Sequence, residues 1–360
     1  VENVLATLQQ LAAYHRLCSG IPVLAITGSN GKTTTRELCK AVLSRKFSVF
    51  ATEGNLNNHI GVPLTLLSMD DSVGLGIVEM GANHQGEIAC LCEIAKPDIG
   101  LITNIGKAHL EGFGSIRGVA KAKGELFNFL MQHGKTVMVN EGNSYVCGLV
   151  PADYPHIIWY NGKRGPEAKS IKSDPYVTLQ TKLGHEMVDI NTNLLGTYNA
   201  ENILAAVCVG LHLGIDPKAI AGAIQNYKPQ NNRSQLIDTG RNWIFMDAYN
   251  ANPSSMTIAI SEFLRLNGHR KLLILGEMLE LGEFSRREHE HLVEELMKQG
   301  IQQVICIGKA FEQAALHAGY RYAETTGQLY EWLSENPVRD HFVFIKGSRG
   351  NRLERVIPLL

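Results

Sequence analysis

The stretch Ile21-Pro-Val-Leu-Ala-Ile-Thr27-Gly28-Ser29-Asn30-Gly31-Lys32-Thr33-Thr34 decides how the rest of the chain is read. Its first seven residues form an apolar run closed by glycine, the pattern of a strand buried in a parallel sheet. From Thr33 to Lys46 the apolar residues recur at helical spacing. A glycine-bearing loop between such a strand and such a helix suits a polyphosphate. Gly28 and Gly31 let backbone N–H groups turn toward the anion, and the helix N-terminus adds its partial positive charge. Asn30 and Thr34 lie in the same loop, Lys32 supplies a point charge for the outer phosphates, and Thr33 offers a hydroxyl to Mg²⁺. The loop is tighter than the common G-x-x-x-x-G-K-[ST] form, so its strand–helix context carries the reading. Ser29-x-x-Lys32 also fits a penicillin-recognising motif, but no Ser-Asp-Asn or Lys-Thr-Gly accompanies it.

Outward from this loop the strand–helix alternation continues. Strands are expected near Gly76–Met80, Ile99–Thr103 and Thr136–Val139, with helices at Glu87–Ala95 and Ile116–Met131. This order implies a doubly wound, mostly parallel sheet. Alternating Val/Thr/Leu from Val150 to about Asn191 suggests antiparallel strands, followed by helices Ala200–Leu213 and Pro217–Tyr227, the second capped by Asp216. The polar turn Lys228-Pro-Gln-Asn-Asn-Arg233 marks a boundary. A second alternation then runs through Trp243–Met246, Ser254–Leu266, Lys271–Leu275, Arg286–Gln299, Gln303–Ile307, Gln328–Glu335, Phe342–Ile345 and Arg349–Pro358. The expected architecture is α/β. A phosphate-loop ATPase domain spans 1–230 with a lead-in helix over 1–20, and a smaller Rossmann-like domain spans 231–360.

Composition narrows the function. With 34 Lys+Arg against 35 Asp+Glu, the net charge of −1 lacks the basic surplus a nucleic-acid binder needs. No apolar run approaches the ~18 residues of a membrane span. Seven scattered cysteines fit neither a disulfide framework nor zinc-ligand spacing, which suggests a reducing cytoplasm.

Three strand ends carry chemistry. Gly28–Thr34 follows the first. Glu79 closes the strand Leu75–Met80, where an acid faces the ligand crevice and suits Mg²⁺. His109 follows the next, in Thr103-Asn-Ile-Gly-Lys-Ala-His-Leu-Glu-Gly112. Lys121, Lys123 and Glu125 on the next helix read, by spacing alone, as a solvated charged face. Asp247-Ala-Tyr-Asn250-Ala-Asn252-Pro253 sets an acid and amides at a strand end of the second domain, for ligand contact or as an Asx cap. Arg286-Arg-Glu-His289-Glu-His291 spaces its histidines at i, i+2 and reads as mostly a solvated helix face.

Taken together, Thr27-Gly-Ser-Asn-Gly-Lys-Thr-Thr34, Gly54-Asn-Leu-Asn-Asn58 with Gly61-Val-Pro63, and Glu79-Met-Gly-Ala-Asn-His-Gln-Gly-Glu-Ile88 resemble the Mur ligases. These ATP-dependent amide-forming enzymes serve peptidoglycan precursor synthesis. His109-Leu-Glu-Gly-Phe-Gly-Ser115, Ala120-Lys-Ala-Lys-Gly-Glu125, Gly196-Thr-Tyr-Asn-Ala-Glu-Asn202 and Lys346-Gly-Ser-Arg349 extend the match over essentially the whole chain. The longer stretches are similar to the branch that joins D-alanyl-D-alanine to UDP-MurNAc-tripeptide. The resemblance implies that Lys32 and Thr33 hold ATP phosphates and Mg²⁺, with Glu79 on the same metal and His109 on a second. Lys123 matches the family's carbamylated lysine. Asn199 and Asn202 match the adenine contacts, and Asp247 the ribose contact, with Arg233 nearby. Asn250, Asn252, Lys346 and Ser348 would serve the incoming dipeptide. It also implies a cytoplasmic monomer that passes through an acyl phosphate. The family places a UDP-binding domain before the ATPase domain; here the phosphate loop begins at Gly28, so that domain is expected to be absent from this chain. A folylpolyglutamate-type ligase, or a fragment that only binds nucleotide, are the alternatives.

Overall fold

The computed structural model describes the chain except for His185, Asn231, Asn232 and His269. The opening apolar run is β1 (Val23–Thr27), buried at all five positions. The phosphate loop delivers it to the helix Lys32–Leu43. Five further strands join it: β2 (Val49–Ala51), β3 (Leu75–Glu79), β4 (Ile99–Ile102), β5 (Thr136–Asn140) and β6 (Ile157–Tyr160). The order is β2-β3-β1-β4-β5-β6 and every pairing is parallel. Alternate residues of β1 feed two separate cores. Leu24 and Ile26 pack with Leu38 and Val42 of the phosphate-loop helix, whereas Val23 and Ala25 pack with Val62, Ile88 and Leu126. Covering both faces with helices explains why the strand is apolar throughout rather than alternating. The chain leaves β1 toward β2 and β3 on one side and later crosses to β4 on the other. The carboxyl ends of β1, β3 and β4 therefore border a topological switch point, where open α/β sheets bind ligands.

Of the expected antiparallel span from Val150, the first strand joins the parallel sheet as β6; the rest is a three-stranded antiparallel sheet, β7 (Ala168–Ser173), β8 (Tyr176–Leu183) and β9 (Glu186–Leu195). Its buried face, Val177, Leu179 and Ile190, joins the Leu24 core. Helices Asn199–His212 and Pro217–Asn226 follow, and Asp216 caps the second by accepting from the Lys218 and Ala219 amides. The expected boundary turn, Lys228–Arg233, includes Asn231 and Asn232, which lie outside the described residues.

The second alternation builds its own sheet from β10 (Gln235–Asp238), β11 (Trp243–Asp247), β12 (Lys271–Gly276), β13 (Val304–Ile307), β14 (Arg321–Ala323) and β15 (Phe342–Lys346). The order is β10-β11-β15-β12-β13-β14, with only the β10 edge antiparallel. It too is packed on both faces: Phe245, Leu273 and Phe344 on one, Ile244, Ile274 and Val343 on the other. The C-terminal segment departs from the regular alternation. It forms two 3₁₀ stretches, Arg349–Asn351 and Leu353–Leu359, because Arg352 is left-handed at φ 51° and Pro358 lacks an amide donor. Among the described residues no helix is long and apolar enough to cross a membrane.

Candidate active site

A cavity of about 1070 Å³ lies at the carboxyl ends of β1, β3 and β4, and the second sheet closes its far side. The phosphate loop forms its floor. Gly28 takes φ 145° and Gly31 φ 79°; a Cβ on Gly28 would come within 1.9 Å of Thr103 Oγ1, and one on Gly31 within 2.3 Å of Asn202 Oδ1. Glycine is required at both positions. The loop is clamped from β4, where Thr103 Oγ1 donates to Asn30 O at 2.6 Å and Asn104 Oδ1 accepts from Asn30 N at 3.0 Å. Lys32 folds back, donating from Nζ to Gly28 O at 2.7 Å. Burial pushes its ammonium below its ordinary range, partly opposed by Glu79. An anion entering the loop would repay that desolvation.

Glu79 ends β3 only 2% exposed. Its carboxylate accepts from Thr33 Oγ1 at 3.1 Å, Arg36 Nη1 at 3.1 Å and Asn57 Nδ2 at 2.9 Å. Sequence reasoning assigned no role to Arg36. It lies one turn beyond Thr33 on the helix, a placement that explains its meeting with Glu79. Asn57 sits inside the Gly54–Asn58 motif, yet nothing local announced its partner.

Lys123 is fully buried, so the solvated-face reading of its segment fails for this residue. It lies behind the cavity wall, with Nζ donating to Ala82 O at 3.1 Å and 5.3 Å from the centre of the Phe113 ring. Burial lowers its ammonium to about 7, and the charge of Lys32 adds to the effect. Glu125, two residues on and so on a different side of the helix, instead caps the helix Glu87–Ala95 by accepting from the Gly86 and Ala89 amides.

His109 sits in left-handed backbone (φ 50°) on the other side of Phe113, with ring centres 6.3 Å apart. Such a conformation costs a non-glycine residue roughly 1–2 kcal/mol. Its Nδ1 lies 2.6 Å from Glu280 Oε2, out of line for a hydrogen bond. The contact with His109 holds the Glu280 carboxyl below its ordinary range against the effect of burial, with Lys32 contributing. Glu280 comes from the second sheet, 171 positions along the chain, and no local pattern could have paired the two.

The other wall comes from the helix Asn199–His212 and the second sheet. Asn199 and Asn202 are bonded to each other at 2.8 Å, and Asn202 Oδ1 accepts from Thr35 at 3.1 Å, which fixes them beside Gly31. Asp247 and Lys346 are register partners on β11 and β15 and form an ion pair at 2.5 Å; Lys346 Nζ also donates to Asn250 O at 3.2 Å. Arg233 stacks on the cavity-lining Tyr249 at 3.6 Å, its Nε buried without a partner among the described residues. Asn252 is the N-cap of the helix Pro253–Arg265, so the Asx-cap reading is correct, and its Nδ2 also crosses to Asn30 Oδ1 at 2.7 Å. Ser348 lies below the cavity surface, accepting from Leu279 N at 3.0 Å.

His289 corrects the solvated-helix reading, being 0% exposed. Its Nε2 accepts from Met278 N at 2.9 Å and its Nδ1 contacts Ser285 O at 2.6 Å, which leaves the ring neutral with its proton on Nδ1. The side chain thereby anchors the loop that carries Glu280. Burial lowers its pKa from 6.5, so the native state favours the neutral ring. The stability it contributes is present above about pH 6.5 and is lost as pH falls toward the depressed native value. His289→Leu should cost about 1–3 kcal/mol by leaving the Met278 amide unpaired. It should also flatten the loss of urea stability below pH 6.5; an unaltered pH slope would disprove this role.

Two family assignments tile the chain: the Mur ligase middle domain matches residues 26–210, and the Mur ligase glutamate ligase domain matches residues 232–349. The chain belongs to the Mur ligase family. Within it, the chain is 34% identical to the UDP-N-acetylmuramoyl-tripeptide–D-alanyl-D-alanine ligase of Escherichia coli, covering 100% of this chain and 81% of that protein. Among solved structures, MurF from Acinetobacter baumannii superposes with a TM-score of 0.90 at 29% identity, covering 100% of this chain and 81% of that one. MurF from Thermotoga maritima in complex with ADP gives 0.84 at 26% identity, covering 100% and 84%.

Proposed function

We propose that the chain is an ATP-dependent, ADP-forming ligase that joins D-alanyl-D-alanine to UDP-MurNAc-tripeptide. The observation that carries this reading is one cleft built from two sheets, with the phosphate loop on one wall and the Asp247–Lys346 pair on the other. The tripeptide carboxylate attacks the γ-phosphorus of ATP; a P–O bond to ADP breaks and an acyl phosphate forms. The dipeptide amine then attacks the acyl carbon, the C–O bond to phosphate breaks, and the amine proton passes to solvent. The first step brings two anions together, so catalysis is chiefly electrostatic. Lys32 and the loop amides receive the phosphates. Asn199 and Asn202 are assigned to adenine, Asp247 and Arg233 to the ribose side, and Asn250 and Lys346 to the dipeptide. Asn252 and Ser348 shape the loops around it.

Thr33 and Glu79, in contact at 3.1 Å beside the phosphate loop, fit a Mg²⁺ ion. No three His, Cys, Asp or Glu among the described residues could hold a metal by themselves. A second ion at His109 therefore needs nucleotide oxygens and an added anion, which a carbamate on Lys123 would provide. Bound there, the ions would neutralise charge between the carboxylate and the polyphosphate. We assign residues 1–230 to the ATP-binding unit and 231–360 to the C-terminal unit, acting together as a cytoplasmic monomer.

Phosphate release tests the reaction. It should require the tripeptide nucleotide and D-alanyl-D-alanine together, with less than a tenth of that rate when the dipeptide is omitted. Equal release without dipeptide would make the chain a hydrolase and overturn the reading.

A further inference from the structure

Four contacts join the segment after β4 to the second sheet at one place. Leu110 is buried in the core formed by Met278, Leu281 and Phe245 of the second unit, although it belongs to the first. The Glu111 amide donates to Glu280 O at 3.4 Å, and Gly282 stands so close that an added Cβ would lie 3.0 Å from Glu111 Cγ. Between them His109 Nδ1 and Glu280 Oε2 meet at 2.6 Å. Both residues adopt left-handed backbone, φ 50° and φ 62°, although neither is glycine. Strained backbone of this kind persists only where its surroundings enforce it, and it gathers at functional sites. Here the enforcement comes from both sides: the Leu110 plug holds one strained turn, and the His289 bond to the Met278 amide anchors the other.

The pair lies at the cavity wall: the His109 side chain is 16% exposed, Glu280 is 48% exposed, and both line the cavity. The imidazole also meets Phe113 in a T-shaped contact, and the Phe113 ring lies near Lys123 Nζ. A carboxylate delivered from the opposite side of the cleft thus stands against Nδ1 and restricts the ring by charge and close contact. Outer partners of ligating histidines restrict the ring in a comparable way.

We propose that Glu280 is a positioning residue of the ligase reaction, reaching from the C-terminal unit to orient His109 in the cleft. This rests on the functional reading above, in which His109 serves the reacting groups. The consequence is that the His109 arrangement is complete only when the two units are docked. Assembly of the reaction centre is thereby linked to closure around both substrates, a form of induced fit. Lys107, bonded through its amide to Ser254 Oγ at 3.0 Å and through Nζ to Glu288 at 2.9 Å, stabilises the same docking from the flank.

Glu280→Gln keeps the shape of the side chain and removes its charge. We expect kcat to fall at least tenfold while KM for ATP and Kd for ADP stay within twofold. The fall should be absent in a His109→Asn background, so that the double variant is no slower than His109→Asn alone. In ¹⁵N-histidine-labelled full-length protein, the His109 ring resonances, assigned by their loss in His109→Asn, should move in Glu280→Gln, while those of histidines remote from the contact stay fixed. Unmoved His109 resonances, an unchanged kcat, or additive losses in the double variant would each overturn the proposal. Should the wild-type chain release no phosphate with both substrates, the functional reading fails and takes the catalytic role with it. The resonance measurement still decides the His109–Glu280 contact by itself.

Discussion

Lys123→Met is expected to lower ligation by at least roughly a hundredfold, the scale on which single electrostatic groups act in such sites, while leaving the chain folded. Methionine matches the length and volume of the lysine stem, and near-isosteric core replacements cost less than about 1.5 kcal/mol. A fully buried ammonium is otherwise hard to justify. Among the described residues Lys123 has no carboxylate partner, and its Nζ donates to the carbonyl of Ala82 at 3.1 Å. Burial and the nearby charge of Lys32 bring its pKa to about 7. The native state thus disfavours the charged amine, and the neutral form grows as pH rises through about 7. A neutral amine is the form that adds CO₂. In the proposed mechanism, carbamylation would replace a cation that repels Mg²⁺ with an anion that attracts it. At constant dissolved CO₂, wild-type activity should rise through about pH 7 and level off. CO₂-free buffer should depress it, and added bicarbonate should restore it. Turnover near the wild-type rate in Lys123→Met would remove the carbamate from the mechanism.

Lys32→Ala should weaken ADP binding at least tenfold and lower kcat by roughly two to three orders of magnitude, the range for loss of one preorganised charge-stabilising donor. In the structure Nζ occupies the loop itself, bonded to Gly28 O at 2.7 Å. Its charge is already partly desolvated, so an arriving phosphate meets a cation that water screens weakly. Thermal stability should barely change, because the lost bond is one the loop can replace with water. Calorimetric titration with ADP is the deciding measurement. Unchanged affinity would mean that the loop does not hold the phosphates.

Both residues were legible as letters in motifs, but not equally as chemistry. Lys32 lies in a strand–loop–helix whose geometry is local, so its direction follows from chain order. Lys123 looked like part of a charged helix face because helical spacing says which residues share a side, not what covers it. The helix Glu87–Ala95 and the loop through Ala82 cover it, and both come from elsewhere in the sequence. His289 was misread for the same reason. The partners of Glu79 were half visible: Thr33 and Asn57 lay in recognisable motifs, whereas the buried ion pair with Arg36 at 3.1 Å emerged only when the helix met the end of β3.

By itself the sequence determined the parallel α/β class, the strand–loop–helix around Gly28–Thr34, the antiparallel insert and the family, because these depend on periodicity, turn residues and contiguous motifs. Tertiary structure alone decided the order β2-β3-β1-β4-β5-β6 and the second sheet's place as the far wall of the cleft. It also decided the pairings of Asn30 with Asn252 and of His109 with Glu280. Those contacts join residues more than a hundred positions apart. They depend on how two separately packed cores dock, and no local preference of either partner encodes that arrangement.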